Sequence, residues 1–248
     1  MNARTFAATV RRVLAQLAAD RRTLGLIMVV PAALLTLLYF VYYDYPHGEQ
    51  LFNRIAVAMM AILPLVVMFL VTSVTMLRER GSGTLERLWT TPLHRADLLL
   101  GYAAAFTATA VGQSLLLCAV AAWCLGVQIA APWVWVILTA LVDGFLGVAL
   151  GLFVSAFART EFQAVQFFPV IIGPQIFLCG LLVARDQLPR VLELCSNVLP
   201  MSWAVDAVGE LSANTAPTAA FAADLGLVAG VGVAILAVAA LTVPRRVR

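Results

Sequence analysis

Residues 78–97 read RERGSGTLERLWTTPLHRAD, and seven of these twenty residues are charged in a chain that is only 12% charged overall. The stretch lies between two apolar runs, at roughly 55–77 and 99–125, each long enough to cross a hydrocarbon core, which takes about 20 apolar residues. That alternation points to a chain that leaves and re-enters a bilayer. Within the stretch, Gly81 and Gly83 give the backbone angles that other residues resist. Thr84 is placed as an N-cap, with Glu86 in the first turn where the helix dipole favours an anion. Leu85, Leu88 and Trp89 share one face, and Pro92 stops the helix. Residues 84–91 are therefore expected to form a short helix of about 12 Å, apolar on one face and charged at both flanks: a docking element.

Working outward, the 248 residues are 62% hydrophobic, more apolar surface than a soluble domain of this size can hide from water. The expectation is an all-α integral membrane protein, one domain over 1–248, with six spans near 24–43, 55–77, 99–125, 133–157, 164–184 and 222–243. The 23 residues before the first span hold five arginines and no small-residue cleavage site follows, so that span is expected to be retained. Arginine placement sets the orientation. With the N-terminus inside, only Arg54, Arg185 and Arg190 of the sixteen arginines fall outside, so both termini are expected in the cytoplasm of a multi-pass cell-membrane protein. Tyr39, Tyr42, Tyr43, Tyr45, Trp123, Trp133 and Trp135 mark span ends at the headgroup level.

Before the first span, Phe6, Val10, Val13, Leu14 and Leu17 form one stripe at helical period, with Arg4, Arg11 and Arg12 away from it. Such a helix is expected to lie on the inner membrane surface among anionic lipids. Pro31, Pro64, Pro169 and Pro174 interrupt spans, and the last two make the fifth the least regular. Residues 185–220 are too long for a turn and too polar for a span. Two short helices parted at Pro200, on or dipping into the outer face, are expected there.

Several functions are excluded by composition. All sixteen basic residues are arginine, and without a lysine for the β/γ-phosphates there is no P-loop. Gly81-Ser82-Gly83 has no third glycine at the offset a dinucleotide fingerprint needs. No HExxH, GxSxG or facing carboxylate pair appears, so the chain is not expected to be an enzyme. Cys118, Cys124, Cys179 and Cys195 lack ligand spacing, as do His47 and His94, so no metal is expected. Cys118, Cys124 and Cys179 read as small hydrophobes, while a Cys179–Cys195 bridge is allowed but not required.

RERGSGTLERLWTTPL followed by HRADLLLGY resembles the signature loop of permease subunits of type 2 ABC exporters, the group that includes drug-resistance, polysaccharide and lipid exporters. LPMSWAVDAVGEL at 199–211 is similar to a second stretch of that family, with Gly209 where arginine is usual, and FLCGLLVARDQLP at 177–189 fits the turn out of the fifth span. The resemblance implies that residues 78–97 carry the coupling helix to a separate ABC ATPase, with Glu79, Arg80, Gly83, Thr84, Leu85, Glu86 and Arg87 at the matching positions. The loop at 158–163, with Arg159 and Glu161, would be a smaller second contact. It further implies two ATPase copies holding ATP and magnesium, no cofactor on this chain, a second permease copy or a homologue beside it, and no nucleic-acid partner.

Polar residues inside spans are the candidates for a translocation path: Gln113, Asp143, Gln166 and Gln175, with Phe168. A charge at the depth of Asp143 costs at least ~2.5 kcal/mol, so a role or a partner is expected, Gln113 being one choice. The alternative role is an interhelical hydrogen bond. An apolar path lacking fixed charges suits an amphipathic drug, antibiotic or lipid-like cargo exported by alternating access. The rival reading is an ion- or proton-coupled secondary transporter using Asp143, against which stand the single intramembrane acid and the lack of inverted repeats.

Overall fold

The computed structural model describes residues 3–81 and 95–242, and these form helices joined by short connections, with no strand among them. In chain order the helices are α1 (Ala3–Ala19), α2 (Arg21–Tyr42), α3 (Gly48–Gly81), α4 (Arg95–Ala119), α5 (Trp133–Ser155), α6 (Glu161–Ile171), α7 (Gly173–Leu178), α8 (Arg190–Ser196), α9 (Pro200–Ala213) and α10 (Ala219–Thr242). A π-helical turn, Val120–Cys124, extends α4, and a 3₁₀ turn covers Arg185–Gln187. Five described helices are long and apolar enough to cross a membrane: α2, α3, α4 with its π extension, α5 and α10. The pair α8–α9 passes the same test only when taken together, and it is bent by 84°.

The bundle is built around α3 and α5. Along α5, Gly144, Gly147 and Gly151 face α3, the last two in a small-xxx-small spacing that lets helix backbones approach in lipid. A Cβ on Gly147 would overlap the carbonyl of Leu65, and one on Gly151 would lie 2.8 Å from the Phe69 carbonyl oxygen and 3.0 Å from Thr72 Cβ. A Cβ on Gly144 would meet Ala110 of α4 at 3.1 Å and Pro64 of α3 at 3.6 Å, so three helices converge at one glycine. On the other side of α5, Gly232 of α10 receives the Phe145 ring. Helices α2 and α10 bury little of themselves against the rest, leaving their outer faces to lipid or another chain.

At 34 residues α3 is about 51 Å long at 1.5 Å per residue, longer than the 55–77 expected and than a hydrocarbon core of about 30 Å. Its helix simply continues through both interfaces, carrying Arg78–Gly81 beyond the apolar part.

One expectation is corrected and one is sharpened. The fifth span, 164–184, is not one helix: α6 and α7 have 11 and six residues, and the chain turns at Gly180 with φ +92. Pro174 stands in the first turn of α7, where its missing N–H cannot continue the hydrogen-bond ladder of α6, while Pro169 is accommodated inside α6. The region 185–220 does not only sit on an end of the bundle. Met201, Ala204, Ala207, Val208 and Leu211 of α9 are fully buried against α3, α5 and α10, because their spacing makes one continuous apolar face. Pro200 begins α9 as expected, since its missing N–H is unneeded in a first turn. The four cysteines are free, with Cys118 and Cys179 buried and Cys124 and Cys195 exposed.

The α3–α5 contact yields a direct test. Gly147→Ala forces the two backbones apart and is expected to destabilise by about 1–3 kcal/mol, read as a lower unfolding midpoint in detergent. Gly25→Ala, where an added Cβ meets nothing within 4 Å, is the control and leaves the midpoint unchanged or higher.

Candidate functional site: the polar collar at the base of the charged loop

Helix α3 ends at Gly81 and α4 begins at Arg95, on either side of residues 82–94, which lie outside the described residues. Around these two helix ends, charged and polar side chains from four helices and a backbone carbonyl from a fifth interlock. The first contact depends on α1, whose apolar stripe packs on α4 rather than facing lipid alone: Val13 and Leu17 are buried in one cluster with Leu98, Leu99 and Tyr102. The expected amphipathic helix is present, and its stripe gains a helix partner at Gly101, where a Cβ would lie 2.6 Å from Thr9 Cγ2. Glycine there lets α1 settle onto α4. Arg12 is turned inward, not lipid-ward: its guanidinium donates to the Tyr102 hydroxyl at 2.6 Å and lies 5.6 Å from that ring's centroid.

The same guanidinium reaches Glu79 Oε2 at 3.8 Å, and Gln16 Nε2 donates to Glu79 Oε1 at 3.1 Å. Glu79, two residues from the end of α3, is thus held by α1 on a largely buried side chain. Arg80 points the other way and donates to the carbonyl of Ser155 at the end of α5, where a helix leaves acceptors unused and a cation is favoured. Arg78 forks onto Glu161, Nε to Oε1 and Nη2 to Oε2, both at 2.9 Å. Three successive charged residues therefore reach three elements: Arg78 to α6, Glu79 to α1, Arg80 to α5.

Helix α6 is itself pinned. The Thr160 hydroxyl accepts from Gln163 N at 3.1 Å, and Gln163 Oε1 accepts from Arg159 N at 2.8 Å, a variant of the reciprocal capping box. Asp20 likewise caps α2, its carboxylate accepting from Thr23 N at 3.1 Å and from the Thr23 hydroxyl at 2.6 Å. These local bonds fix where Glu161 and the start of α2 stand.

Of the sequence-derived coupling residues, Glu79, Arg80 and Glu161 are brought together in this collar, and Arg159 is exposed beside it. Gly83, Thr84, Leu85, Glu86 and Arg87 lie outside the described residues. Arg12, Gln16, Arg78, Tyr102 and Ser155 complete the collar and were not singled out. Only the Gly101-Tyr102 pair carried a signal for them, as the start of a span; the rest needs the fold.

The path candidates are dispersed. Asp143 and Gln113 are fully buried, yet no polar atom of either side chain has a hydrogen-bond partner among the described residues, so the expected Asp143–Gln113 bond is not formed. Gln175 is occupied structurally: its Nε2 donates to Ile171 O at 2.9 Å and its Oε1 accepts from Met201 N at 3.3 Å, tying α7 to α9. Phe168 packs near Phe69, ring centroids 6.2 Å apart, and Gln166 faces outward.

The hydrogen bonds from Arg78 hold the Glu161 carboxyl below its ordinary value of 4.5. A carboxylate whose folded value is depressed adds stability above its unfolded value and loses it as pH falls through the lower, folded one. The pair is more than half exposed on the Arg78 side, so the stabilisation is at most about 1 kcal/mol. Glu161→Gln is expected to remove that increment at pH 7, and to flatten the loss of stability below pH 4.5, in acid titrations followed by circular dichroism.

Comparison with known proteins places this arrangement. The chain is 26% identical over 149 residues to the probable multidrug ABC transporter permease YbhR of Escherichia coli, a match covering 60% of this chain and 40% of that protein. It is 28% identical over 144 residues to the linearmycin resistance permease protein LnrN of Bacillus subtilis, covering 57% of this chain and 37% of the relative. It is also 26% identical over 141 residues to ABC transporter G family member 20 of Dictyostelium discoideum, covering 57% and 19% respectively. These matches span less than half the length of each relative. The model of the ABC-2 type transporter family matches residues 4–211, from the first turn of α1 through most of α9, and the chain belongs to that family.

Proposed function

We propose that this chain is the membrane permease subunit of an ATP-binding-cassette exporter, moving an amphipathic drug, antibiotic or lipid-like molecule out of the cytoplasm by alternating access. Its energy comes from two copies of a separate ATPase, which hold ATP and magnesium, and it works beside a second permease copy or a homologue. The observation that carries the reading is the collar: three consecutive charged residues at the mouth of the loop are each locked to a different helix. The likeness to a probable multidrug permease and to a linearmycin resistance permease supports the substrate class.

The mechanics follow from packing. ATP binding closes the ATPase pair and pushes on the loop, whose matching residues include Glu86 and Arg87. The push reaches α3 directly, α1 through Glu79, α6 through Arg78 and α5 through Arg80. Because α3 and α5 touch backbone to backbone, they move as one body. The loosely packed α2 and α10 are free to re-pack around that body and open the path outward. Asp143 and Gln113, buried without partners on α5 and α4, supply polar contacts along the path. This chain catalyses no step.

Co-expression with the cognate ATPase tests the assignment. The two are expected to purify together, with ATP turnover stimulated by an amphipathic substrate. Glu86→Arg with Arg87→Glu should abolish pairing, and intact pairing and turnover would sink the loop assignment. A second measurement isolates the collar. Arg12→Ala and Tyr102→Phe are expected to leave assembly and basal ATP turnover in place while lowering substrate stimulation several-fold. Unchanged stimulation in both would remove α1 from the transmission route.

A further inference from the structure

At the end of the bundle opposite the collar, where α2 stops and α3 and the π turn begin or end, lies a cavity of about 670 Å³, within the size range of small-molecule sites. Tyr39, Tyr42, Tyr43 and Phe52 line it, and Glu49 is the one charged side chain on its wall among the described residues. We propose that this cavity binds an organic ammonium cation, the chemistry shared by choline-type lipid headgroups and free quaternary-ammonium amphiphiles.

Three observations carry the assignment. The rings stand steeply to one another, Tyr39 and Phe52 at 80° with centroids 5.3 Å apart, and Tyr39 and Tyr43 at 61° and 5.7 Å. Tyr39 thus packs edge-to-face on both neighbours, which fixes the aromatic lining in place, and a ring face left open to the cavity attracts cations through its quadrupole. Glu49, in the first turn of α3, makes no ion pair among the described residues, and no arginine lines the cavity, so the wall carries one carboxylate without a cationic partner. The frame is built in advance. Gly48 lies so close to the Tyr42 carbonyl that any Cβ would overlap it, and its N–H donates to Tyr45 O at 2.8 Å. His47 holds a left-handed φ of 59 to make that turn. On the far wall Asn53 clamps Gln128 reciprocally, Nδ2 to the Gln128 carbonyl at 3.0 Å and Gln128 N to Oδ1 at 2.7 Å. A rigid cavity loses less entropy on binding than one that must assemble. A neutral ligand keeps the apolar contact with the rings but loses the attraction to their faces and to the carboxylate, and an anionic one is repelled by both.

The site does not depend on transport, so binding is measured on the purified chain in neutral detergent, with no ATPase present. Choline is the probe and 3,3-dimethyl-1-butanol, its uncharged isostere, the comparison. Choline is expected to bind saturably, roughly tenfold tighter than the isostere, and to weaken by a similar factor in Glu49→Gln and in Tyr43→Leu. Tyr39→Phe keeps the ring and is expected to keep binding, which separates loss of the site from loss of the fold; equal unfolding midpoints for all variants are the check. Repeating the titration in phosphatidylcholine and phosphatidylglycerol nanodiscs distinguishes the source. Choline excluded only by phosphatidylcholine means a lipid headgroup occupies the site, and binding in both means a free cation does. Absence of saturable binding in detergent, equal affinity for the isostere, or no change in Glu49→Gln would each overturn the proposal.

Discussion

The two central helices meet backbone to backbone, where Gly147 and Gly151 of α5 lie against Leu65, Phe69 and Thr72 of α3. Water drives soluble helices together by expelling them, but lipid tails offer no such force, so helices in a bilayer associate through close van der Waals contact. That contact demands small residues, and the three α5 glycines at 144, 147 and 151 provide it on two neighbours at once. The rest of the bundle is placed relative to this pair. Helix α4 meets it at Ala110, α9 buries its apolar face on it, and α10 closes over Phe145 through Gly232.

A rigid pair in the middle makes the collar at its end consequential. Glu79 and Arg80 are the last charged residues of α3, and both are already committed to other helices before the loop begins. A solvated loop obeying only the arginine asymmetry of membrane proteins would leave these side chains in water. Here Arg80 satisfies a carbonyl at the end of α5, and Glu79 is largely buried between Arg12 and Gln16. The charges at this end therefore do more than add to the arginine asymmetry of the sequence: they tie the end of α3 to three other helices. At the opposite end the tyrosines expected as interfacial markers play a similar double part, since they also wall a cavity.

The long spans were legible because twenty consecutive apolar residues have few folded alternatives, and the motif at 78–97 was legible because a charged break in such a run is conspicuous. The site was only half legible. Glu79, Arg80 and Glu161 could be named from the loop pattern, but Arg12 and Tyr102 are ninety residues apart and meet only because Gly101 lets α1 lie on α4. Gln113 was one choice of partner for Asp143, at a similar depth on a neighbouring span. Depth fixes the level of a residue in the bilayer but not the direction its side chain takes around the helix, and no hydrogen bond joins them.

The amino-acid sequence alone determined the solvent, the helical class, most of the spans and the family resemblance. These depend on composition and short-range spacing, which operate residue by residue along the chain. Tertiary structure decided that 164–184 breaks into α6 and α7, that α9 enters the core, and that the stripe of α1 meets a helix instead of only a membrane. Each of those outcomes turns on which partner an apolar face finds. An amphipathic stripe states that it will be covered, and only packing between distant segments settles by what.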